Sequence, residues 1–238
     1  MSGMEALTAW IQPQHLSTTG IDAHRAAFES HTAQVLHMTD FLKADVATKI
    51  ARFLSQEANY EPIYALYSAK GHVVSAETWQ AADEKDRFFT YGMLGDIDPR
   101  LRLSPNLLTY IRLRQTLATS AFKAYVSAVT GLPLGDMTPT KVHQMQVGHY
   151  LRPHNDTGGR RRLAFIFYLS PTWKADYGGA LHIIENNGQC TKIEVTFNSL
   201  VVFDVTKHKE HYVADIQATA GNQSRMTIGG WFRNPPQA

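Results

Sequence analysis

The sequence has very little cysteine, no long apolar run and almost no excess of charge. Cys190 is the single cysteine in 238 residues, so no disulfide can form within the chain, and we expect a reducing, cytoplasmic location. No stretch reaches the roughly 18 apolar residues that a membrane span needs, and the N-terminus lacks the basic start and apolar run of a secretory signal. The 23 basic and 21 acidic residues nearly balance. We therefore expect neither nucleic acid nor a membrane as a partner.

The chain changes character near residue 131. Before this point helical patterns prevail, and the longest begins at Ser104, a serine suited to cap a helix, and ends at Gly131. After Gly131, seven strand-like runs separated by turn residues predict a β-sandwich or barrel. We predict one mainly β, α+β domain over residues 1–238. Its helix-rich part, 1–135, would add edge strands to a β core at 136–238.

Two side chains in the segment "RPHNDTGG" form a candidate metal site. His154 and Asp156 are one residue apart, so in an extended segment both point to the same side. His211 opens a later strand-like run that would return it to the core. Two imidazoles and one carboxylate on one face of an octahedral metal are typical of non-haem Fe(II) oxygenases. The same donors also suit zinc, so the ligand set alone leaves the metal open.

A second candidate site lies in the late run "SRMTIGGWF". Arg225 and Thr227 alternate there with apolar residues and would share one face of a strand. A buried guanidinium needs an anionic partner, and Arg225 has none nearby in the sequence. A carboxylate ligand is the expected partner, with the Thr227 hydroxyl contacting the same group.

The stretch from Lys141 to Arg233 resembles the 2-oxoglutarate- and Fe(II)-dependent oxygenases, specifically their prolyl-hydroxylase-like branch. The segments "PHND", "RRLAFIFYLSPTW", "YGGALHI", "HYV" and "RMTIGGWF" occur in the order that this family uses. The earlier segment "FLKADVATKIARFL" is similar to the helix that precedes the core in that branch. The resemblance implies a double-stranded β-helix, or jelly roll, with N-terminal supporting helices.

The resemblance also implies the roles of individual residues. It gives three Fe(II) ligands: His154, Asp156 and His211. It gives three residues that bind 2-oxoglutarate: Arg225, Thr227 and Tyr168. The guanidinium would pair with the distal carboxylate, and the two hydroxyl groups would support the same end.

The activity implied is that of a 2-oxoglutarate- and Fe(II)-dependent dioxygenase that uses O2, with ascorbate as a supporting reductant. Halogenating relatives replace the ligand carboxylate with a small residue. This chain keeps Asp156, which indicates hydroxylation of an unactivated C–H bond. The expected substrate is an amino acid, a prolyl or peptidyl residue, or an amino-acid-derived natural product, and the expected state is a monomer or homodimer. Residues 87–106, which mix aromatic and charged side chains, are predicted to line the substrate mouth.

One position departs from the family pattern. Many relatives carry a tyrosine shortly before the first ligand, where this chain has Met145. The candidates to replace its cosubstrate contact are Gln144, Gln146 and Tyr150. His208 competes with the last predicted ligand, but it stands between two lysines and is predicted to lie in an exposed loop.

Two other classes of function remain open on the sequence. One is another zinc- or iron-dependent jelly-roll enzyme, against which Arg225 argues. The other is a non-catalytic, cupin-like binding module, against which the intact metal triad argues. The three arginines at 160–162 are predicted to lie on the surface or to pack, and Trp231 is predicted to be a core residue.

Overall fold

The structure is a computed structural model that describes residues 4–69, 72–97 and 103–236. Within these ranges six α-helices are found. They are Pro13–Leu16 (α1), Thr18–Ser30 (α2), Ala44–Arg52 (α3), Ala76–Ala81 (α4), Pro105–Leu117 (α5) and Ser120–Thr130 (α6). Helix α3 continues into a π-helical turn at Phe53–Glu57. No described helix is both long and apolar enough to cross a bilayer.

The long helical signal that starts at Ser104 is two helices in the structure. The Ser104 hydroxyl accepts the backbone N–H of Leu107 and begins α5, as predicted. The Thr119 hydroxyl accepts the N–H of Phe122 and begins a second helix, α6. A second capping residue inside the pattern therefore divides it. Gly131 ends α6 in the left-handed region, at φ 69°.

Twelve β-strands are found in the described part of the chain. They are Val35–Met38 (β1), Tyr60–Leu66 (β2), Val73–Val74 (β3), Arg87–Leu94 (β4), Lys141–Met145 (β5), Tyr150–His154 (β6), Arg161–Tyr168 (β7), Leu181–Glu185 (β8), Cys190–Ile193 (β9), Ser199–Asp204 (β10), His208–Val213 (β11) and Arg225–Arg233 (β12). They pair antiparallel in the order β1-β10-β7-β12-β5-β4-β6-β11-β8-β9, and β2 joins β3 to β4.

The last eight strands wind as a jelly roll. Strands β5 and β12, β7 and β10, β6 and β11, and β8 and β9 pair antiparallel. Successive strands therefore alternate between two four-stranded sheets, except that β8 and β9 are neighbours in one of them. One sheet has the order β10-β7-β12-β5 and the other the order β6-β11-β8-β9. The predicted double-stranded β-helix core is confirmed.

The helices cover one face of the β10-β7-β12-β5 sheet. Phe122 of α6 packs edge-on against Phe165 of β7, with ring centroids 5.9 Å apart. On β12, Met226 and Ile228 join this hydrophobic core. Because side chains alternate across a strand, the residues between them face the space between the two sheets. That space holds the candidate site.

The N-terminal half contributes more than the edge strands predicted for it. Strand β1 lies at an edge, beside β10. Strand β4 is instead an interior strand, bonded to β5 on one side and β6 on the other. Its four central residues, 89–92, are buried, which suits an interior position. Residues 87–94 therefore form part of the wall between the two sheets.

Candidate metal and cosubstrate site

The structure brings the three predicted metal ligands together. His154 ends β6 and is the register partner of His211 on β11, while Asp156 follows two residues after β6. The His154 Nε2 atom lies 3.9 Å from Asp156 Oδ1, and the His211 Nε2 atom lies 3.3 Å from Asp156 Oδ2. One donor atom from each residue lies within 4.8 Å of the other two. A single divalent ion can be bound by donors at this spacing.

Hydrogen bonds hold both imidazoles with Nε2 toward the carboxylate. The His154 Nδ1 atom lies 2.9 Å from the backbone oxygen of Arg152. The His211 Nδ1 atom lies 3.0 Å from His208 Nε2, and His208 Nδ1 lies 3.1 Å from the backbone oxygen of Asp204. Such contacts fix the orientation of a metal-binding imidazole.

His208 is therefore a supporting residue, and its predicted exposed position is wrong. Its side chain is only 6% exposed. The pairing of β11 with β8 shifts register between His208 and Glu210. This irregularity allows two histidines three residues apart to face inward, which regular alternation forbids.

Asp156 is held by two donors that the sequence did not indicate. The Arg161 Nη1 atom lies 3.0 Å from Oδ1, and the Trp231 indole Nε1–H donates to Oδ2 over 2.9 Å. The Arg161 guanidinium also stacks over the Trp231 ring at 4.1 Å. Arg161 is partly exposed and packs on Trp231, as predicted, while Trp231 packs partly buried against the core and also lines the cavity. Both side chains orient the carboxylate.

The electrostatics of the triad favour metal binding at neutral pH. Burial lowers the pKa of His154 to about 4, with the positive charge of His211 adding to the effect. Burial alone would raise the pKa of Asp156, but the hydrogen bond and charge of His211, with His154 and Arg161, outweigh it and lower that pKa to about 2. His154 is neutral and Asp156 is ionised at pH 7, which is the protonation state that ligands require.

A cavity of about 300 Å³ adjoins the triad and reaches Arg225. The Arg225 side chain is 3% exposed. Its Nη1 lies 3.4 Å from Met145 Sδ and its Nη2 lies 3.4 Å from the Tyr168 hydroxyl, but its Nε has no partner. No ion pair joins Arg225 to a carboxylate of the described residues. Since a buried cation needs compensation, the cavity suits an anion beside Arg225.

The two other predicted cosubstrate residues differ in position. Thr227 lines the cavity with Arg225 on the same face of β12. Tyr168 is fully buried and is the register partner of Thr227 across β7 and β12. Its hydroxyl contacts the Arg225 guanidinium and it is not among the cavity-lining residues described. Tyr168 therefore contacts Arg225 without itself reaching the cavity surface.

The expected substitutes for the missing tyrosine lie elsewhere. Gln146 is exposed and bonds Ser224, and Tyr150 packs under the Arg152 guanidinium. Neither these two residues nor Gln144 belongs to the described cavity lining.

The cavity wall near Met145 contains two polar residues that were not among the predicted site residues. Tyr91 of β4 and His143 of β5 line it, and their rings are 4.4 Å apart. Alternation along β5 offered a signal for His143, because His143 and Met145 share a face. Tyr91 lies in the segment predicted to line the substrate mouth, but its place beside His143 depends on β4 joining β5.

The predicted substrate mouth is partly tested by the structure. Phe88, Phe89, Tyr91 and Met93 of β4 line the cavity, in agreement with the prediction for residues 87–106. Residues 98–102 lie outside the described part of the chain.

Comparison with known proteins agrees with this geometry. Residues 140–233 match the family model described as the 2OG-Fe(II) oxygenase superfamily. Over 132 residues the chain is 29% identical to the prolyl 3-hydroxylase OGFOD1 of Mus musculus. This alignment covers 53% of this chain and 24% of that protein. The chain thus spans about a quarter of the length of that curated relative.

Solved structures share the fold. A prolyl-4-hydroxylase from Pseudomonas putida superposes with a TM-score of 0.58 and 19% identity, covering 91% of this chain and 100% of that one. A Trichoplax adhaerens prolyl hydroxylase in complex with a hypoxia-inducible-factor peptide has a TM-score of 0.56 and 17% identity, covering 92% and 94%. At these identities the likeness concerns the fold.

The fold is a jelly roll, and two histidines and one aspartate within it lie close enough together to bind one metal ion. Residues 140–233 match the 2OG-Fe(II) oxygenase superfamily, and over about half of its length the chain is similar to curated prolyl hydroxylases. That family works with Fe(II), 2-oxoglutarate and O2. The residues present fit these groups, because the triad offers two imidazoles and a carboxylate, and the unpaired Arg225 faces the same cavity.

Proposed function

We propose that this chain hydroxylates a prolyl residue of a peptide or protein in a reaction that depends on Fe(II) and 2-oxoglutarate. One observation carries the proposal: a single cavity joins the metal triad to a buried, unpaired arginine. The curated relative is named a prolyl 3-hydroxylase, and the fold is that of named prolyl hydroxylases. Another zinc- or iron-dependent jelly-roll enzyme gives no reason for Arg225, and a non-catalytic binding module gives none for the intact metal triad.

The protein's own residues would orient the reactants. His154, Asp156 and His211 would hold the iron, and Arg225 would receive the distal carboxylate of 2-oxoglutarate. When bound, the iron and 2-oxoglutarate supply the O2-derived oxidant that attacks a C–H bond. Tyr168, in contact with the guanidinium, would hold Arg225 in place. Apolar walls exclude water from the reacting atoms.

The charges of the cavity favour a peptidyl over a free amino acid. A free amino acid carries an ammonium group, which needs an acidic partner when it is buried. Among the described lining residues Asp156 is the one acidic side chain, and it belongs to the metal triad. A prolyl residue within a peptide has a neutral amide nitrogen and does not impose this cost.

Apolar and aromatic side chains stand where such a ring would enter. Ile63 and Val73 line the cavity, and Val73 is 59% exposed. Phe88 meets the His154 ring edge-on at 5.4 Å and stacks on Tyr67 at 4.7 Å. These surfaces suit the apolar ring of proline.

Oxygen incorporation into matched peptides tests the proposal. Proline-containing peptides, alanine-substituted copies and free proline would be incubated with Fe(II), 2-oxoglutarate and O2. We expect succinate release with a mass gain of one oxygen atom on proline-containing peptides alone. The His154→Ala and Arg225→Ala variants should abolish both signals. Turnover of free proline but of no peptide would refute the peptidyl substrate.

Anaerobic titration separates a wrong substrate from a wrong reaction. Fe(II) and 2-oxoglutarate should give a visible charge-transfer band with the wild type and none with His154→Ala. A folded, iron-loaded wild type that gives no band would overturn the oxygenase assignment itself.

A further inference from the structure

His143 lies at the centre of the polar side of the cavity. Across β5 and β12 it is the register partner of Thr227, and across β4 and β5 it pairs with Met93. Met145, two residues along β5, is the register partner of Arg225. Side chains two residues apart share a face. The His143 ring therefore stands beside the two residues proposed to bind the cosubstrate carboxylate.

The His143 imidazole makes no hydrogen bond to the part of the chain that the structure describes. Its Nε2 atom is buried and unpaired, and no hydrogen bond joins either ring nitrogen to another described residue. Burial lowers the pKa of His143 to about 3, and the charges of Lys141 and Arg225 add to this effect. The ring is therefore neutral and carries one N–H. Buried polar groups are nearly always paired, and with its N–H placed on Nε2 the ring would donate to an acceptor in the cavity.

A second unpaired donor stands close by. The Nε–H of Arg225, on the strand next to β5, also has no partner. Two buried donors on adjacent strands, both facing one cavity, fit a ligand with several acceptor oxygens. A carboxylate has such oxygens, whereas the thioether of Met145 offers no donor to it.

We propose that His143 is a cosubstrate-positioning residue, which donates a hydrogen bond to the carboxylate of 2-oxoglutarate that Arg225 holds. It would take over the role of the tyrosine that many relatives carry at the position of Met145. The inference rests on the proposed function. Tyr91 packs against the ring at a tilt of 41°, with the ring centroids 4.4 Å apart, and helps to hold it in place.

Binding of 2-oxoglutarate, measured without turnover, tests the role. The charge-transfer band would be titrated anaerobically with 2-oxoglutarate for the wild type, His143→Phe and His143→Gln. His143→Phe keeps an aromatic ring against Tyr91 but removes the donor, whereas His143→Gln keeps a donor. We expect His143→Phe to weaken binding roughly 10- to 100-fold, the range for a hydrogen bond to a charged group. His143→Gln should recover part of the loss.

A second ligand tests whether His143 contacts the distal carboxylate of 2-oxoglutarate. 2-Oxopentanoate keeps the keto acid end but lacks the distal carboxylate. His143→Phe should leave its affinity unchanged, while weakening that of 2-oxoglutarate. His72, an exposed histidine, provides the control variant His72→Phe, which should bind both ligands as the wild type does.

The outcomes distinguish this inference from the proposed function. No band in the wild type would contradict the proposed function. A wild-type band with equal 2-oxoglutarate affinity in His143→Phe would overturn the role of His143 alone. Equal weakening of both ligands would also overturn it, because the effect would then concern the shape of the cavity. Should His143→Phe fail to fold, His143→Leu takes its place under the same criteria.

Discussion

Replacing Trp231 by phenylalanine should weaken Fe(II) binding without damaging the fold. The indole N–H donates to Asp156 Oδ2 over 2.9 Å, and phenylalanine lacks this donor. The ring that remains can still carry the Arg161 guanidinium, which lies 4.1 Å from the indole. Arg161 also keeps its own contact with Oδ1. The variant therefore removes one of two donors that orient the ligand carboxylate.

The size of the effect follows from that geometry. Losing a hydrogen bond to a charged group costs about 1.5–3 kcal/mol, and loss of a partner to a metal ligand typically lowers metal affinity by about 10- to 100-fold. Since Arg161, the second donor, remains, we expect the lower end of this range, a loss of Fe(II) affinity of about tenfold. Fe(II) affinity would be measured anaerobically, without 2-oxoglutarate, by competition with a chromogenic chelator.

Trp79 offers a matched control. An arginine also stacks over its ring, with Arg87 at 4.5 Å, but its indole Nε1 has no hydrogen-bond partner in the described part of the chain. Trp79→Phe should leave Fe(II) affinity unchanged. Equal affinity in the wild type and Trp231→Phe, or equal weakening in both tryptophan variants, would refute the role assigned to the indole N–H.

Three further results are expected. His208→Phe removes the partner of His211 Nδ1 and should lower Fe(II) affinity about 10- to 100-fold in the same chelator assay, and an unchanged affinity would contradict the orienting role. Gly179→Ala should destabilise the fold more than Gly188→Ala in urea denaturation. Both glycines have positive φ, so both substitutions strain the backbone. A Cβ at Gly179 would also lie 2.8 Å from the Arg225 side chain, whereas a Cβ at Gly188 meets nothing within 4 Å. The pKa of His143 is about 3 in the folded protein, below its ordinary value. As the pH falls, His143 is therefore protonated in the unfolded chain before it is protonated in the folded protein. The unfolding free energy should fall as pH drops below about 6.5, by up to about 1.4 kcal/mol per pH unit, relative to His143→Phe. Parallel pH profiles for the two proteins would contradict this.

The closeness of His154 and Asp156 could be predicted because its information is local, whereas His211 entered through the resemblance. His154 and Asp156 are one residue apart on a chain that is extended there, so their shared direction follows from strand geometry alone. The need of Arg225 for an anionic partner could also be predicted, since a charged residue within an apolar run needs one when it is buried.

The detailed positions of Tyr91 and His208 depend on pairing between distant segments. Tyr91 reaches the cavity because β4 bonds β5 and β6, which lie more than 40 positions later in the sequence. His208 looked exposed because lysines flank it, and both lysines are exposed. The register shift beside it reverses the expected direction of its side chain. The hydrophobic periodicity of a single segment shows neither which strands pair with it nor where the register of the pairing shifts.

The position of β4 gives the candidate cavity two separate origins in the sequence. Residues 140–233, the segment that matches the oxygenase family, carry the triad and Arg225. The wall beside them includes Phe89, Tyr91 and Met93, from a segment outside that match. Grafting the family segment onto another scaffold would therefore transfer the metal ligands and leave the cavity open on one side. Conversely, diversifying β4 alone would change what the cavity accepts while every metal ligand stays in place.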